Sequence, residues 1–267
     1  NIVIFESTFY PGATEDFCVP LLEKLSGLIF NDDFFVGYCP ERINPGDKKN
    51  NISNINKLVS GSNRYSLNII KNLYMKIIKA KVIATSSIKI AEAAKIIENT
   101  QRDVNIALIN EFSIICKLLN LNVHEVLKLS ASKWNFLNFK PGLVGGHCIG
   151  VDPFYLSYKS KKLGHKPEVI DSGRNINDKM SNYLANHIKK ICRNKFSKPN
   201  ILILGYTFKE NCSDFRNTKV FNLIKKLNFF SKKVEVVDPH VDIALVKKFD
   251  LIKVYKNIPK RKYDVIF

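Results

Sequence analysis

The chain has 267 residues, 45% of them apolar and 11% aromatic, which is enough material for a buried core and excludes a disordered protein. No run approaches the ~18 uncharged apolar residues of a membrane-spanning helix. Six cysteines without a CxxC pair predict reduced thiols in a cytoplasmic protein. The net charge of +18 is spread over residues 51–267, so it indicates a solvated surface rather than a binding stripe. We therefore expect no nucleic-acid partner and no membrane partner.

The first part of the chain alternates short apolar runs with helical patterns, which is typical of a doubly wound α/β fold. A helical pattern without Gly or Pro then runs from Ser86 or Ser87 to about Asn120, and its length predicts a spine between domains or subunits. Thr14 is expected to be the N-cap of the first helix. The elements predicted before the long helix are a strand over 1–5, a helix over 14–25, a strand over 33–38, a helix over 65–78 and a strand over 81–84.

The remainder of the chain predicts more helices, a loop and a second β-α-β-α-β unit. Helices are expected over 122–130, 156–163 and 179–193, a glycine-rich loop over 140–153 and irregular backbone over 167–177. After a boundary at 197–200, the expected elements are a strand over 201–206, a helix over 217–227, a strand over 234–237, a helix over 243–249 and a strand over 265–267.

Both chain ends lie in apolar, strand-like runs, so we expect an interior fragment that is cut at both ends. The alternative is that both runs are edge strands of a complete small protein. The expected fold class is α/β, with two Rossmann-like doubly wound domains joined by a long central helix. The expected divisions are residues 1–85, the C-terminal part of the first domain, residues 86–196, the central helical region, and residues 197–267, the N-terminal part of the second domain.

The glycine-rich loop carries the clearest candidate nucleophile, Cys148. His147 stands beside it and Asp152 follows four residues later. Glycines let a backbone approach a ligand closely, and a displayed cysteine suits covalent catalysis. An inert buried cysteine in a tight loop is the alternative interpretation, and the residues alone leave both open.

Lys95 and Asn99 share one face of the long helix because they are four residues apart, and Arg102 lies about one turn further along. Their apolar neighbours indicate that this face is partly covered. A lysine there could act as an acid or base or stabilise a developing oxyanion. The alternative is an ordinary solvated lysine.

Two further segments follow predicted strands. Residues 208–218 precede a helix and contain Lys209 and Arg216, which is typical of an anion site but also of a polar loop capped by Asn217. Ligands of doubly wound sheets bind at the carboxyl ends of strands, where residues 6–8 and 41–42 are expected, although both segments could be plain turns. The chain has no zinc-ligand spacing and no GxGxxG, and we expect no metal.

Taken together, these segments resemble the UDP-glucose/GDP-mannose dehydrogenase family, in the right order and over essentially the whole chain. The matching segments are Glu6-Ser7-Thr8 with Pro11-Gly12, Pro40-Glu41-Arg42-Ile43 with Pro45-Gly46, Ala91-Glu92-Ala93-Ala94-Lys95 with Asn99 and Asn110-Glu111, Gly145-Gly146-His147-Cys148 with Asp152-Pro153, and Phe208-Lys209 with Asp214 and Arg216. The resemblance implies an NAD-binding domain, a central helix that supports a homodimer, and a domain that binds the UDP part of a UDP-sugar.

The resemblance also implies a four-electron oxidation of the sugar C6 hydroxymethyl to a carboxylate, with two NAD and a thioester on Cys148. Its implied roles are oxyanion stabilisation by Lys95 and Asn99, water activation by Asp152 and Thr8, and assistance to thioester hydrolysis by Glu41. Substrate-binding residues implied by it are Lys209, Arg102, His147, Gly145 and Gly146. Cofactor-binding residues implied by it are Ser7, Thr8 and Arg216, the last binding phosphate or joining the domains.

His147 and Val151 stand where glucose-specific members typically carry Ser and Lys. The pattern instead resembles the bacterial branch that acts on UDP-N-acetylhexosamines, and within it we favour UDP-N-acetylglucosamine oxidation for surface-polysaccharide synthesis. The alternative hypothesis is a catalytically dead remnant that only binds a sugar nucleotide or dimerises.

Overall fold

The structure is a computed structural model that describes residues 1–43, 51–250 and 252–267. The predicted motif residues Pro45 and Gly46 lie outside the described residues. The chain divides into two compact units, and the long helix α3 contributes to both. The first unit comprises residues 1–100 and 152–167, and the second unit comprises residues 101–151 and 168–267.

The first unit contains a four-stranded sheet in the order β1-β2-β3-β4. Strands β1 and β2 are parallel, with Ile2 opposite Phe35, whereas β3 runs antiparallel to β2 and parallel to β4. The sequence predicted three of these strands and missed β3, so it also missed the antiparallel pair. The strands are β1 (Ile2–Phe5), β2 (Phe35–Tyr38), β3 (Lys57–Gly61) and β4 (Val82–Ala84).

Helices cover this sheet and bury an apolar core that includes Val36, Tyr38, Ile88 and Ala91. The prediction of Thr14 as an N-cap is wrong, because a π-helical segment begins at Thr14, with Ala13 in the cap position, and continues directly into α1. The helical elements are the π-helical segment (Thr14–Cys18), α1 (Val19–Ser26), α2 (Arg64–Met75), the first part of α3 (Ile88–Leu118) and α5 (Asp152–Lys162).

The second unit contains a parallel sheet in the order β7-β6-β5-β8, which is the doubly wound arrangement that the sequence predicted. Helices α6 and α7 pack together, and their apolar residues join the buried core of this sheet. The sequence missed the short strand β7. The elements are the remainder of α3, α4 (Val123–Ser130), α6 (Glu168–Cys192), β5 (Asn200–Leu204), α7 (Lys219–Leu227), β6 (Lys233–Val237), α8 (Ile243–Phe249), β7 (Val254–Tyr255) and β8 (Val265–Ile266).

The expectation of irregular backbone over 167–177 is wrong, because α6 begins at Glu168, directly after Pro167. Gly173 lowers the intrinsic helix propensity of this stretch. In the folded chain Gly173 faces α3, where an added Cβ would contact the Val104 side chain at 3.4 Å. Tertiary packing against α3 therefore offsets the weak local propensity. The start of α6 matters for the site, because it carries Arg174 and Asn177.

No helix within residues 1–43, 51–250 and 252–267 combines the length and the apolar character needed to cross a membrane. All six cysteines are thiols rather than members of disulfides.

Candidate active site

Lys95, Asn99 and Asp152 come together in the first unit. Asp152 is the first residue of α5 and is 2% exposed, and its carboxylate accepts a 2.6 Å hydrogen bond from the Asn99 amide. The Lys95 ammonium is buried on α3 and lies 3.8 Å from the same carboxylate oxygen. The four-residue spacing that predicted a shared helix face thus places a cation and an amide donor on one buried carboxylate. Arg102, further along α3, is exposed.

Glu92, three residues before Lys95 on α3, holds the turn that follows β1. Its carboxylate is fully buried and accepts hydrogen bonds from the backbone N–H groups of Gly12 and Thr14 at 2.5 and 2.9 Å. The Thr14 hydroxyl donates a third bond at 2.7 Å. Burial raises the pKa of Glu92 above its ordinary value of 4.5, and these hydrogen bonds only partly oppose that effect. The sequence motif contained Glu92, but its spacing gave no sign of this role.

Polar residues follow β1 and β2 where these parallel strands end. Ser7 is exposed, Thr8 is half-buried, and the Glu41 backbone N–H donates to the Glu6 carbonyl at 3.2 Å. The Glu41 side chain is exposed and accepts a bond from the Ile43 N–H. These groups therefore lie at the carboxyl edge of the sheet, where open α/β sheets bind their ligands.

A second acid at this edge, Glu6, is held by two side chains that the sequence analysis did not single out. The buried Lys57 ammonium lies 2.8 Å from the Glu6 carboxylate, and the Tyr74 hydroxyl donates to it at 2.6 Å. Burial alone would raise the pKa of Glu6, but Lys57 and Tyr74 outweigh it and lower that pKa. Lys57 belongs to β3, the strand that the sequence missed.

In the second unit, Gly145 and Gly146 of the glycine-rich loop pack against residues 208–217 without room for larger side chains. A Cβ on Gly145 would come within 2.7 Å of the Asn217 carbonyl oxygen, and one on Gly146 within 2.8 Å of the Phe208 ring. Gly146 also has a φ of +84°, which favours glycine. Cys148 is half-buried in the turn of residues 146–150, directly before α5 in the chain. Larger residues at positions 145 and 146 would clash with these neighbours, which explains why glycine stands at both.

His147 and Arg216 both face Asp214. The His147 Nδ1 atom lies 3.4 Å from the Asp214 carboxylate, and its ring meets the Phe208 ring edge-on. The exposed Arg216 guanidinium makes a forked contact with Asp214, with distances of 2.6 to 3.1 Å. Hydrogen bonds from Arg216 lower the pKa of Asp214. Arg216 is thus held against an acid of its own loop.

Lys209 belongs to the same loop, whose start is fixed by a buried acid. Asp238 follows β6 and accepts hydrogen bonds from the backbone N–H groups of Tyr206 and Thr207 at 2.8 and 3.1 Å. It also accepts bonds from the N–H groups of His240 and Val241. Burial alone would raise the pKa of Asp238, but the four amides together lower it. Asp238 therefore orders the backbone that leads to half-buried Lys209.

Comparison with known proteins matches three models of one family along the chain. They describe the NAD binding domain (residues 1–78), the central domain (residues 89–179) and the UDP binding domain (residues 202–266) of the UDP-glucose/GDP-mannose dehydrogenase family. The chain belongs to this family. The resemblance inferred from the motifs is therefore confirmed.

Individual members of the family are similar over most of this chain. The UDP-N-acetyl-D-glucosamine 6-dehydrogenase of Salmonella typhi is 51% identical over 100% of this chain, which spans 63% of that protein. The enzyme of the same name from Pseudomonas aeruginosa is 53% identical over 90% of this chain and 58% of its own length. The structure of a UDP-D-ManNAc dehydrogenase from Pyrococcus horikoshii is 32% identical, has a TM-score of 0.82, and matches 90% of this chain and 57% of its own.

The family models name a different ligand for one segment of each unit. The segment matched as NAD binding contains the carboxyl edge of β1 and β2, where the hydroxyls of Ser7 and Thr8 suit the polar groups of a dinucleotide. The segment matched as UDP binding contains the loop with Lys209 and Arg216, whose cations suit a pyrophosphate. Within the described part of the chain, no cluster of three or more His, Cys, Asp or Glu residues could hold a metal ion.

Proposed function

We propose that the protein oxidises the C6 hydroxymethyl of a UDP-N-acetylhexosamine to the uronic acid, for surface-polysaccharide synthesis in the cytoplasm. The observation that carries the proposal is the buried Asp152, which is held by Asn99, lies near Lys95 and follows Cys148 by four residues. The identity of 51% to the Salmonella typhi enzyme supports UDP-N-acetylglucosamine as the substrate.

Cys148 supplies the covalent chemistry in this proposal. When bound, NAD would supply the oxidant, one molecule for each of the two hydrides that leave the C6 carbon. The Cys148 sulfur bonds to the carbon of the C6 aldehyde, and the oxygen takes a proton to give a thiohemiacetal. Oxidation of that carbon leaves a thioester, and water then releases the acid and restores the thiol. A thiolate in a glycine-bounded turn suits both the attack and the departure.

Polar groups of the first unit stabilise charge and handle water in this proposal. Lys95 and Asn99 carry the donors that can stabilise an oxyanion as it develops at C6, and such donors are most effective away from bulk water. Asp152 and Thr8 hold or activate the hydrolytic water, and Glu41 assists thioester hydrolysis. Ser7 and Thr8 bind NAD.

The second unit binds the substrate in this proposal. Lys209, His147, Gly145, Gly146 and Arg102 contact the UDP-sugar. Arg216 has to release Asp214 before it binds phosphate, because the forked contact with Asp214 occupies the edge of its guanidinium group in this structure.

The same proposal includes the division of the chain into residues 1–85, 86–196 and 197–267, and a homodimer formed through the central helix. Four apolar side chains spaced along the second half of α3 are exposed, and a partner helix would cover them. They are Leu108, Phe112, Ile115 and Leu118. Sedimentation of the protein as a monomer at micromolar concentration would contradict the dimer.

The activity is tested with full-length protein, UDP-N-acetylglucosamine and NAD. We expect two NADH for each acid formed, and no acid from the Cys148→Ala variant. Cys192→Ala is the matched control, because Cys192 is a buried thiol at the end of α6, and this variant should keep its activity. Acid formation by the Cys148→Ala variant would contradict the proposal. The ratio of kcat/KM for the N-acetylglucosamine and N-acetylmannosamine substrates decides the epimer.

A further inference from the structure

Asn110, on α3, forms hydrogen bonds with the backbone near the start of the glycine-rich loop that contains Cys148, which we call the cysteine loop. It is fully buried, and its carboxamide oxygen accepts a 2.8 Å hydrogen bond from the Gly142 N–H. Its amide nitrogen donates to the carbonyl of the same Gly142 at 2.9 Å. Gly142 precedes Cys148 by six residues. Two bonds to one residue fix the orientation of that backbone segment as well as its position.

The Asn110 side chain is itself held in one orientation by a buried polar network. Its second amide hydrogen goes to the Asn177 side-chain oxygen at 2.8 Å. The Asn177 amide donates in turn to the carboxylate and the backbone carbonyl of Asp103, at 2.8 and 3.0 Å. The Arg174 guanidinium lies 2.6 Å from that carboxylate. A flip of the Asn110 carboxamide would turn its amide nitrogen toward the Gly142 N–H and its oxygen toward the Gly142 and Asn177 oxygens. The network therefore fixes one orientation of this side chain.

A second contact holds the cysteine loop beyond Gly142. The Gly146 N–H donates to the Asn217 carbonyl at 3.4 Å, and the space around Gly145 and Gly146 admits no side chain. The backbone that leads to the Cys148 turn is therefore fixed by two contacts, one with Asn110 on α3 and one with Asn217 before α7. Asn110 supplies the first of them.

We propose that Asn110 is a positioning residue, which sets the path of the cysteine loop and thereby the placement of the Cys148 sulfur. This rests on the proposed function, in which Cys148 bonds to the substrate carbon. A displacement of about 1 Å at a reacting atom can cost on the order of 100-fold in rate, while it leaves distant binding contacts intact. Asn110 touches no reacting atom in this account and acts through the backbone of Gly142.

The experiment compares Asn110→Ala with Asn105→Ala in full-length protein. Asn105 is the matched control, because it lies on the same helix and its amide donates only to the Gln101 carbonyl of that helix among the contacts described. We expect kcat of Asn110→Ala to fall by roughly 10- to 100-fold while KM for the UDP-sugar changes by less than about 3-fold. Asn105→Ala should keep the kcat of the unmodified protein.

A second readout does not depend on turnover. Alkylation of Cys148 by iodoacetamide, followed by peptide mass spectrometry, reports how the loop displays the thiol. We expect the Cys148 rate to rise several-fold in Asn110→Ala, because a released loop exposes a thiol that is now half-buried. The buried Cys192 is the internal control and should stay unreactive. An equal rise at Cys192 would indicate general loosening and would overturn the positioning role.

Asn177→Ala keeps both Gly142 bonds but frees the Asn110 carboxamide, so it should show the same two effects at smaller size. This variant decides the question if Asn110→Ala does not fold. Unchanged kcat and unchanged Cys148 alkylation in the folded variants would overturn the proposal. Acid formation by Cys148→Ala would instead contradict the proposed function, and the alkylation rates would still report on Asn110.

Discussion

The two units each bury an acid of α3 completely, but they compensate its charge differently. In the first unit, Glu92 is held by two backbone N–H groups and the Thr14 hydroxyl, all of them neutral donors. In the second unit, Asp103 is held by the Arg174 cation and the Asn177 amide. Both acids are fully buried.

The difference separates two consequences of burying a carboxylate. A buried ion pair becomes costly when one partner is removed, because the other charge stays uncompensated. Burial raises the pKa of both acids above their ordinary values, so the contribution of each to stability depends on pH. The contact in the second unit depends in addition on an intact ion pair, whereas the contacts described for Glu92 come from neutral donors.

Removal of Arg174 should have the largest effect on stability. Arg174→Met leaves the buried Asp103 carboxylate with the Asn177 amide but without its cation, and we expect a loss of roughly 3–5 kcal/mol in the free energy of unfolding. Urea denaturation of full-length protein at pH 7 measures it. Lys219→Met is the control, since the contact of Lys219 with Asp178 is partly exposed, and it should lose less than about 1 kcal/mol. Equal losses in the two variants would contradict the claim that the buried ion pair contributes more to stability than the partly exposed one.

Loss of the Thr14 hydroxyl should have an intermediate effect. Thr14→Val keeps the shape of the side chain but removes one of the three donors to the buried Glu92 carboxylate. We expect a loss of about 1–3 kcal/mol by the same urea measurement. Thr14→Ser retains the hydroxyl and should lose less. If Thr14→Ser lost as much as Thr14→Val, the methyl contacts rather than the hydrogen bond would explain the loss.

The smallest effect is the pH dependence of Glu92. Burial raises its pKa in the folded protein above 4.5, so the folded state binds the proton more tightly than the unfolded chain. Its contribution to stability is therefore full below about pH 4.5 and falls as pH rises through the folded-state pKa. Glu92→Gln should remove this decline. Urea denaturation of both proteins between pH 4 and pH 7 tests it, and parallel curves would contradict it.

Local patterns in the sequence were enough to predict the long helix α3, because its 31 residues contain no Gly or Pro and its four-residue spacing placed Lys95 and Asn99 on one face. The start of α6 could not be predicted locally, since the glycine at 173 is compensated by packing on α3. Strand β3 was missed because buried Lys57 and Ser60 interrupt its apolar pattern.

The site shows the same limit. The residue types around Cys148 and the order of the motifs predicted candidate site residues, and their roles stay predictions. The contact of Asn110 with Gly142 joins residues 32 positions apart, and that of Asn99 with Asp152 joins residues 53 positions apart. No periodic pattern encodes such distances. Asn110 and Glu92 were therefore visible in the sequence only as members of motifs, without a role.

The central claim is that Cys148 forms a covalent bond with the oxidised sugar. Acid-quenched turnover of full-length protein with UDP-N-acetylglucosamine and NAD, followed by peptide mass spectrometry, tests it most directly. The account predicts a UDP-N-acetylhexosaminuronyl thioester on the peptide that contains Cys148, and none on peptides with the other five cysteines of this chain. Steady turnover with an unmodified Cys148 peptide at every quench time, or with an adduct on another residue, would contradict it.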